Sequence, residues 1–183
     1  KYVYLASSSR FKGESDRNKY NKARRLHKKI DDIRRSYTKD LVDRDVAIAQ
    51  RATAMYLIDK LALRVGNEKD TSEAADTVGC CSLRVEHIQF RDDNVIELDF
   101  LGKDSIAYHN EVKIDEQPYK NLKKFCAGKS DNKDIFCQLN PTKLNDHLKS
   151  LMPDLSAKVF RTYNASITLE TLLSDPNNPC NPK

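Results

Sequence analysis

Two changes of hydrophobic period predict an α+β fold, mainly α, with a small three-stranded antiparallel sheet set among helices. Apolar residues recur every three or four positions through the first third of the chain. They alternate from Leu83 to Ile114, then return to helical spacing up to Leu173. The third observation is composition: of 183 residues, 39% are hydrophobic and 32% charged, against a usual quarter charged. That balance suits one ordinary domain, or a compact piece of a larger one, with a modest core and a heavily charged surface.

The first element is a basic helix. Tyr20, Ala23, Leu26, Ile30, Ile33 and Tyr37 fall on one stripe, and Lys19, Lys22, Arg24, Arg25, Lys28, Lys29, Arg34 and Arg35 fill the other faces. Ser15 or Asp16 is placed to cap its start. Up to residue 51 basic residues outnumber acidic ones about two to one, so this helix is either a solvated surface or a track for a nucleic-acid backbone. The second helix is predicted from Asp43 to Val65 on the spacing of Ile48, Met55, Ile58, Leu61, Ala62 and Val65. Gly66 is expected to end it in the left-handed region. Arg64 then projects from the last turn of the most apolar helix, where a cation also simply complements the helix dipole.

The strands follow. Leu83, Val85 and Ile88 begin the first, Arg91-Asp-Asp-Asn94 turns, Val95 to Leu101 forms the second, and Ser105 to Ile114 the third. Lys103 sits in Gly102-Lys103-Asp104 at a hairpin tip, a position that ordinarily just keeps a turn soluble. Helices are predicted again over roughly 117–126, 141–151 and 157–173, with Pro141 at a first helical position after Asn140. We divide the chain into a basic helical segment (1–42), a helical region enclosing the β-meander of 83–114 (43–173), and a Pro/Asn-rich tail (174–183) expected to be extended or disordered.

Several function classes are disfavoured. No apolar run approaches the ~18 to 20 residues of a membrane span, and no P-loop, G-x-S-x-G or H-E-x-x-H motif occurs. The five cysteines show no C-x-x-C or zinc-ligand spacing, so they read as reduced thiols, and no metal site is expected. A net charge of +5 favours an anionic partner. Lys1 is not an initiator Met, so the N-terminus is expected to be a cut end.

Four stretches carry a specific resemblance: Leu61-Ala-Leu-Arg-Val-Gly-Asn-Glu-Lys69, Ala75-Asp-Thr-Val-Gly-Cys-Cys-Ser-Leu-Arg-Val-Glu-His87, Asp99-Phe-Leu-Gly-Lys-Asp-Ser-Ile106 and Ala157-Lys-Val-Phe-Arg-Thr-Tyr-Asn-Ala-Ser166. In collinear order, from Lys1-Tyr2 to about Leu169, the chain resembles part of the core and catalytic region of eukaryotic type IB DNA topoisomerase I. The resemblance implies the helical catalytic fold with a small sheet that this family shares with tyrosine recombinases. It also implies a nuclear enzyme that relaxes supercoiled double-stranded DNA without ATP, metal or other cofactor. In that mechanism a tyrosine attacks a phosphodiester, leaving a 3′-phosphotyrosyl link and a free 5′-hydroxyl; the duplex rotates and the hydroxyl reverses the attack.

By the same resemblance Arg64 and Arg161 donate to the nonbridging oxygens and Lys103 is the general acid on the 5′-oxygen. Lys1, Tyr2, Lys19, Arg64, Val65, Gly66, Asn67, Glu68, Lys69, Thr77, Lys103, Asp104, Ser156, Ala157 and Lys158 match family DNA contacts, Ser156 standing where many relatives have Thr. Two departures qualify the match. Ala107 replaces a usual Arg, and the sequence contains neither the family's catalytic histidine nor its nucleophilic tyrosine, Tyr163 matching a different family position. The nucleophile is expected on the remainder of the same enzyme or on a separate small subunit, and the chain alone is expected to be inactive. Two other readings stay open on the residues alone: a non-catalytic basic DNA- or RNA-binding module, and a tyrosine-recombinase-type strand transferase.

Overall fold

The computed structural model describes residues 6, 8–66 and 77–174. Among these described residues six α-helices and one sheet follow in the order α1 (Arg10–His27), α2 (Ile30–Asp40), α3 (Val46–Leu61), β1 (Ile88–Phe90), β2 (Val95–Leu101), β3 (Ala107–Lys113), α4 (Glu116–Cys126), α5 (Pro141–Leu151) and α6 (Ala157–Ser174). The mainly helical α+β architecture is the one the periodicities predict.

The N-terminal stripe is interrupted. A turn at Lys28 and Lys29 splits it into α1 and α2, and Lys29 donates its backbone N–H to the Leu26 carbonyl at 2.8 Å. The start also lies earlier than Ser15 or Asp16: Ser9 occupies the cap position. Ala23, Leu26, Ile30, Ile33 and Tyr37 are buried as the spacing demands, whereas Tyr20 is exposed. The break lets both short helices turn their apolar faces onto the same core, α1 against α6 and α2 against α3.

α3 is the centre of the molecule. Every residue from Ala52 to Asp59 is buried, so this helix is apolar nearly all round, as an enclosed helix must be. Asp45 caps its start, accepting from the Ala47 N–H at 2.8 Å. Its end departs from expectation. Ala62 already takes the left-handed conformation (φ 53°), four residues before Gly66, which is itself at positive φ (81°), so α3 stops at Leu61 and residues 62–66 run on as a non-helical segment. Tertiary contacts override propensity here: the carbonyls of Arg64 and Val65 accept from the N–H groups of Cys80 and Cys81, each at 2.7 Å. A continuing helix would have used those carbonyls internally.

The sheet is an antiparallel meander in the order β1-β2-β3, with Ile88 opposite Leu98 and Leu101 opposite Ala107. Ile96, Leu98 and Phe100 point into the core while Asp99 and Leu101 face outward, the alternation a half-buried strand requires. β1 is shorter than its alternating residues suggest, because 80–82 and 85–87 form tight 3₁₀ turns. Asp93 and Asn94, both at positive φ, make the first hairpin turn. Beyond the sheet, α4, α5 and α6 begin within a residue of the predicted positions. Pro141 opens α5, where the Asn140 side chain accepts from the Lys143 N–H at 2.8 Å.

Candidate active site

Arg64 reaches its place through backbone, not through a helix end. The 62–66 segment lies so close to residues 78–82 that a Cβ on Gly79 would stand 2.3 Å from the Gly66 nitrogen and 2.9 Å from the Arg64 carbonyl oxygen. Glycine at 79 is what permits this approach. The Ser82 hydroxyl oxygen accepts from the Gly79 N–H at 3.0 Å, closing the second strand of the junction. Arg64 therefore leaves a braced, extended segment as an exposed side chain.

Lys103 comes from the opposite wall. The β2–β3 hairpin closes where Gly102 donates to the Ile106 carbonyl at 2.8 Å, and Asp104 and Ser105 both sit at positive φ. This tight tip lifts Lys103 outward, where its ammonium lies 3.2 Å from the Asp104 carboxylate, both groups well exposed. Val78 donates to the Leu101 carbonyl at 2.7 Å and so ties the segment after Thr77 to the root of the same hairpin. Arg161 comes from the second turn of α6, between buried Phe160 and the nearby buried Tyr163, which fix the helix face.

The three cations meet on one cleft of about 220 Å³, whose apolar wall includes Val78, Phe100 and Tyr108. The Tyr108 ring stacks on Phe100 at 4.8 Å. Burial, and then repulsion from Arg64, hold the Arg161 guanidinium below its ordinary pKa. Two guanidiniums that repel each other mark a place where an anion would be stabilised. Among the described residues neither has a carboxylate within ion-pair distance.

The remaining predicted contacts divide into groups. Lys19, Ser156 and Lys158 line a second groove of about 480 Å³ between α1 and the start of α6, joined by Lys22 of the same basic helix. Ala157 is buried, so its side chain takes no part and only the backbone of the α6 N-terminus faces outward there. Val65, Gly66 and Thr77 are half-buried beside Arg64, and Asp104 is exposed on the hairpin. Lys1, Tyr2, Asn67, Glu68 and Lys69 lie outside the described residues, as does the 175–183 tail. Tyr163 is not on the cleft: its ring is buried 5.8 Å from that of His27, and burial pushes its hydroxyl pKa up. Among the described residues no cluster suited to a metal ion occurs, and no helix is long and apolar enough to cross a membrane.

These features define a mainly helical domain whose central segment, hairpin and last helix converge three cations on a cleft sized for a small anionic group. The chain belongs to the eukaryotic DNA topoisomerase I family: the catalytic-core description of that family matches residues 8–181. It is 56% identical to DNA topoisomerase 1 of Caenorhabditis elegans over 98% of the chain and 24% of that protein. It is 53% identical to the Homo sapiens DNA topoisomerase 1 over 98% of the chain and 24% of that protein, and 58% identical to the Arabidopsis thaliana DNA topoisomerase 1 beta over 95% and 19%. The chain thus spans about a quarter or less of the length of these relatives.

Proposed function

We propose that this chain supplies the phosphate-stabilising cations of a type IB topoisomerase, which relaxes double-stranded DNA by transient single-strand cleavage. The observation that carries the reading is the convergence of Arg64, Lys103 and Arg161 on one cleft from three elements far apart in sequence. In the reaction, tyrosinate attack on a phosphodiester builds extra negative charge on a five-coordinate phosphorus. Arg64 and Arg161 donate to the nonbridging oxygens as that charge develops, in an arrangement set before the DNA arrives. Lys103 protonates the departing 5′-oxygen, and the neutral amine left behind takes the proton back when the hydroxyl re-attacks. The energy of the broken bond is kept in the phosphotyrosyl ester, so the cycle needs no ATP.

The second groove extends the interface. Lys19, Lys22 and Lys158 line it together with Glu14 and Asp154, and these lysines contact the phosphate backbone, which positions the duplex without reading its sequence. Asp104 holds the Lys103 ammonium near the tip and presents an acceptor to a base edge. The proposed partner is double-stranded DNA, and the proposed place of action is the nucleus, in keeping with membership of a eukaryotic topoisomerase family. The nucleophilic tyrosine and the catalytic histidine come from polypeptide outside these 183 residues, on the same enzyme or on a small subunit. Tyr163 is packed away, and the Tyr108 hydroxyl already accepts from the Asn110 amide at 3.1 Å.

The test is a suicide oligonucleotide assay with the chain alone and with the tyrosine-bearing segment of a relative added. No covalent adduct should form with the chain alone, and adduct formation should return with the segment. Adduct on the 183-residue chain alone, mapped to Tyr108 or Tyr163, would overturn the assignment.

A further inference from the structure

A preorganised pair of like charges needs something to hold it. Arg64 and Arg161 repel each other, and no carboxylate among the described residues sits between them. Core packing of Val159, Phe160 and Tyr163 holds α6 as a whole, and a polar link one turn beyond Arg161 ties it to the end of α3. The Asn164 side-chain amide donates to the backbone carbonyl of Asp59 across 105 residues of sequence. Asn164 and Arg161 are three residues apart on α6, so they share a face. The Asp59 carbonyl belongs to the last turn of α3, where helix carbonyls lack an intrahelical partner and seek one outside.

Asp59 is itself fixed. Its buried carboxylate accepts from Arg34 Nε at 2.8 Å, from Arg34 Nη2 at 3.1 Å and from the Tyr37 hydroxyl at 2.8 Å. The carbonyl that Asn164 grips is therefore part of a turn anchored to α2, five residues before Arg64. One short path connects the two guanidiniums: Arg161, Asn164, the Asp59 carbonyl, the end of α3, then the braced segment carrying Arg64.

We propose that Asn164 is a positioning residue that acts through Arg161, setting the Arg64–Arg161 spacing for the pentacoordinate phosphate while adding little to ground-state DNA binding. This rests on the reading of the cleft given above. A displacement of about 1 Å in a positioned group typically costs up to a hundredfold in rate.

The experiment is a double-mutant cycle in a relaxation-competent protein that contains this sequence, comparing wild type, Asn164→Ala, Arg161→Ala and the double variant. It reads single-turnover cleavage of an oligonucleotide duplex, duplex Kd and thermal midpoint, with rates normalised to folded protein. Asn164→Ala should slow cleavage about ten- to a hundredfold and change Kd less than about threefold. In the Arg161→Ala background the same change should cost less than about threefold, because its target is gone. Asn164→Leu, similar in volume but without a donor, should match Asn164→Ala and serves if that variant folds poorly. Equal rate losses in both backgrounds, or a normal cleavage rate with only a lowered melting temperature, would overturn the proposal. If Arg161→Ala itself cleaves normally, the role given to the cleft fails instead, and the two failures are told apart by that single variant.

Discussion

Removing the Asp59 carboxylate is the sharpest stability test of this architecture. The Asp59 side chain is fully buried, while Arg34 keeps 34% of its side chain exposed. In Asp59→Ala the Tyr37 hydroxyl loses its acceptor inside the core, and Arg34 loses its bidentate partner. Stranding the partner of a buried pair costs about 3–5 kcal/mol when both groups are dry. The hydration left to Arg34 lowers that figure, so the expected loss is about 2–4 kcal/mol. For a domain of this size each kcal/mol moves the melting temperature by about 2–4 °C, which gives a fall of roughly 5–15 °C. Urea unfolding monitored by circular dichroism measures it, with an unchanged m-value confirming that stability and not compactness moved. Replacing both residues by Leu should recover much of the loss, since no charge is then stranded. An Asp59→Ala protein within about 0.5 kcal/mol of wild type would refute the claim that this carboxylate organises the α2–α3–α6 junction.

Further predictions follow from single groups. Tyr37 has its hydroxyl pKa raised by burial and by the Asp59 carboxylate, so the folded state binds the proton more tightly than the unfolded chain does. Its contribution to stability is complete below an unfolded pKa of about 10 and is lost as pH rises towards the folded value. Tyr37→Phe should flatten the alkaline fall in unfolding free energy; an identical slope contradicts the assignment. Among the four described thiols, Cys137 is exposed and its pKa is lowered, chiefly by the hydrogen bond from Gln50, whereas burial raises Cys80 and pushes Cys81 up to about 12. A brief maleimide pulse near pH ~8 should therefore label Cys137 well before Cys80 or Cys81, as read by peptide mass spectrometry. For DNA binding, neutralising about five phosphates gives a slope of roughly −4 to −5 in log K against log salt, and a flat response contradicts the backbone-tracking groove.

How far the sequence could be read depended on whether the deciding contacts were local. The spacing in α4, α5 and α6 and the turn residues at Asp93-Asn94 and Gly102 are local signals, and those elements stand where they were expected. The end of α3 is not local. Gly66 does sit at positive φ, yet the helix has already ended at Ala62, and Cys80 and Cys81 take up the carbonyls of Arg64 and Val65 that a longer helix would have used. β1 is short for the same kind of reason: residues 80–82 turn to serve that junction, and 85–87 turn where Val85 and Glu86 donate to the carbonyls of Lys133 and Asp131. Lys28-Lys29 gave no breaker signal, and the turn there follows from two core contacts that one straight helix could not make together.

The cleft was legible for a different reason. Arg64, Lys103 and Arg161 each looked ordinary by spacing, and the family motifs singled them out. Asn164 lay inside one of those motifs without a stated role, because its partner is a backbone carbonyl 105 residues away. Asp59 carried no motif at all. Gly79 was visible only as part of the Asp-Thr-Val-Gly run, and its reason is the contact with Gly66.

The central claim is that the cleft divides its labour: two guanidiniums stabilise charge and one ammonium donates a proton. Cleavage of a duplex whose scissile 5′-oxygen is replaced by sulfur tests this most directly, because a thiolate departs without protonation. In a cleavage-competent protein containing this sequence, Lys103→Ala should lose on the order of a hundredfold or more in rate on the normal phosphodiester, with DNA affinity little changed. The same variant should return to near wild-type rate on the sulfur-bridged substrate, and Arg161→Ala should stay slow on both. Equal defects for Lys103→Ala on the two substrates would contradict the proton-donor role.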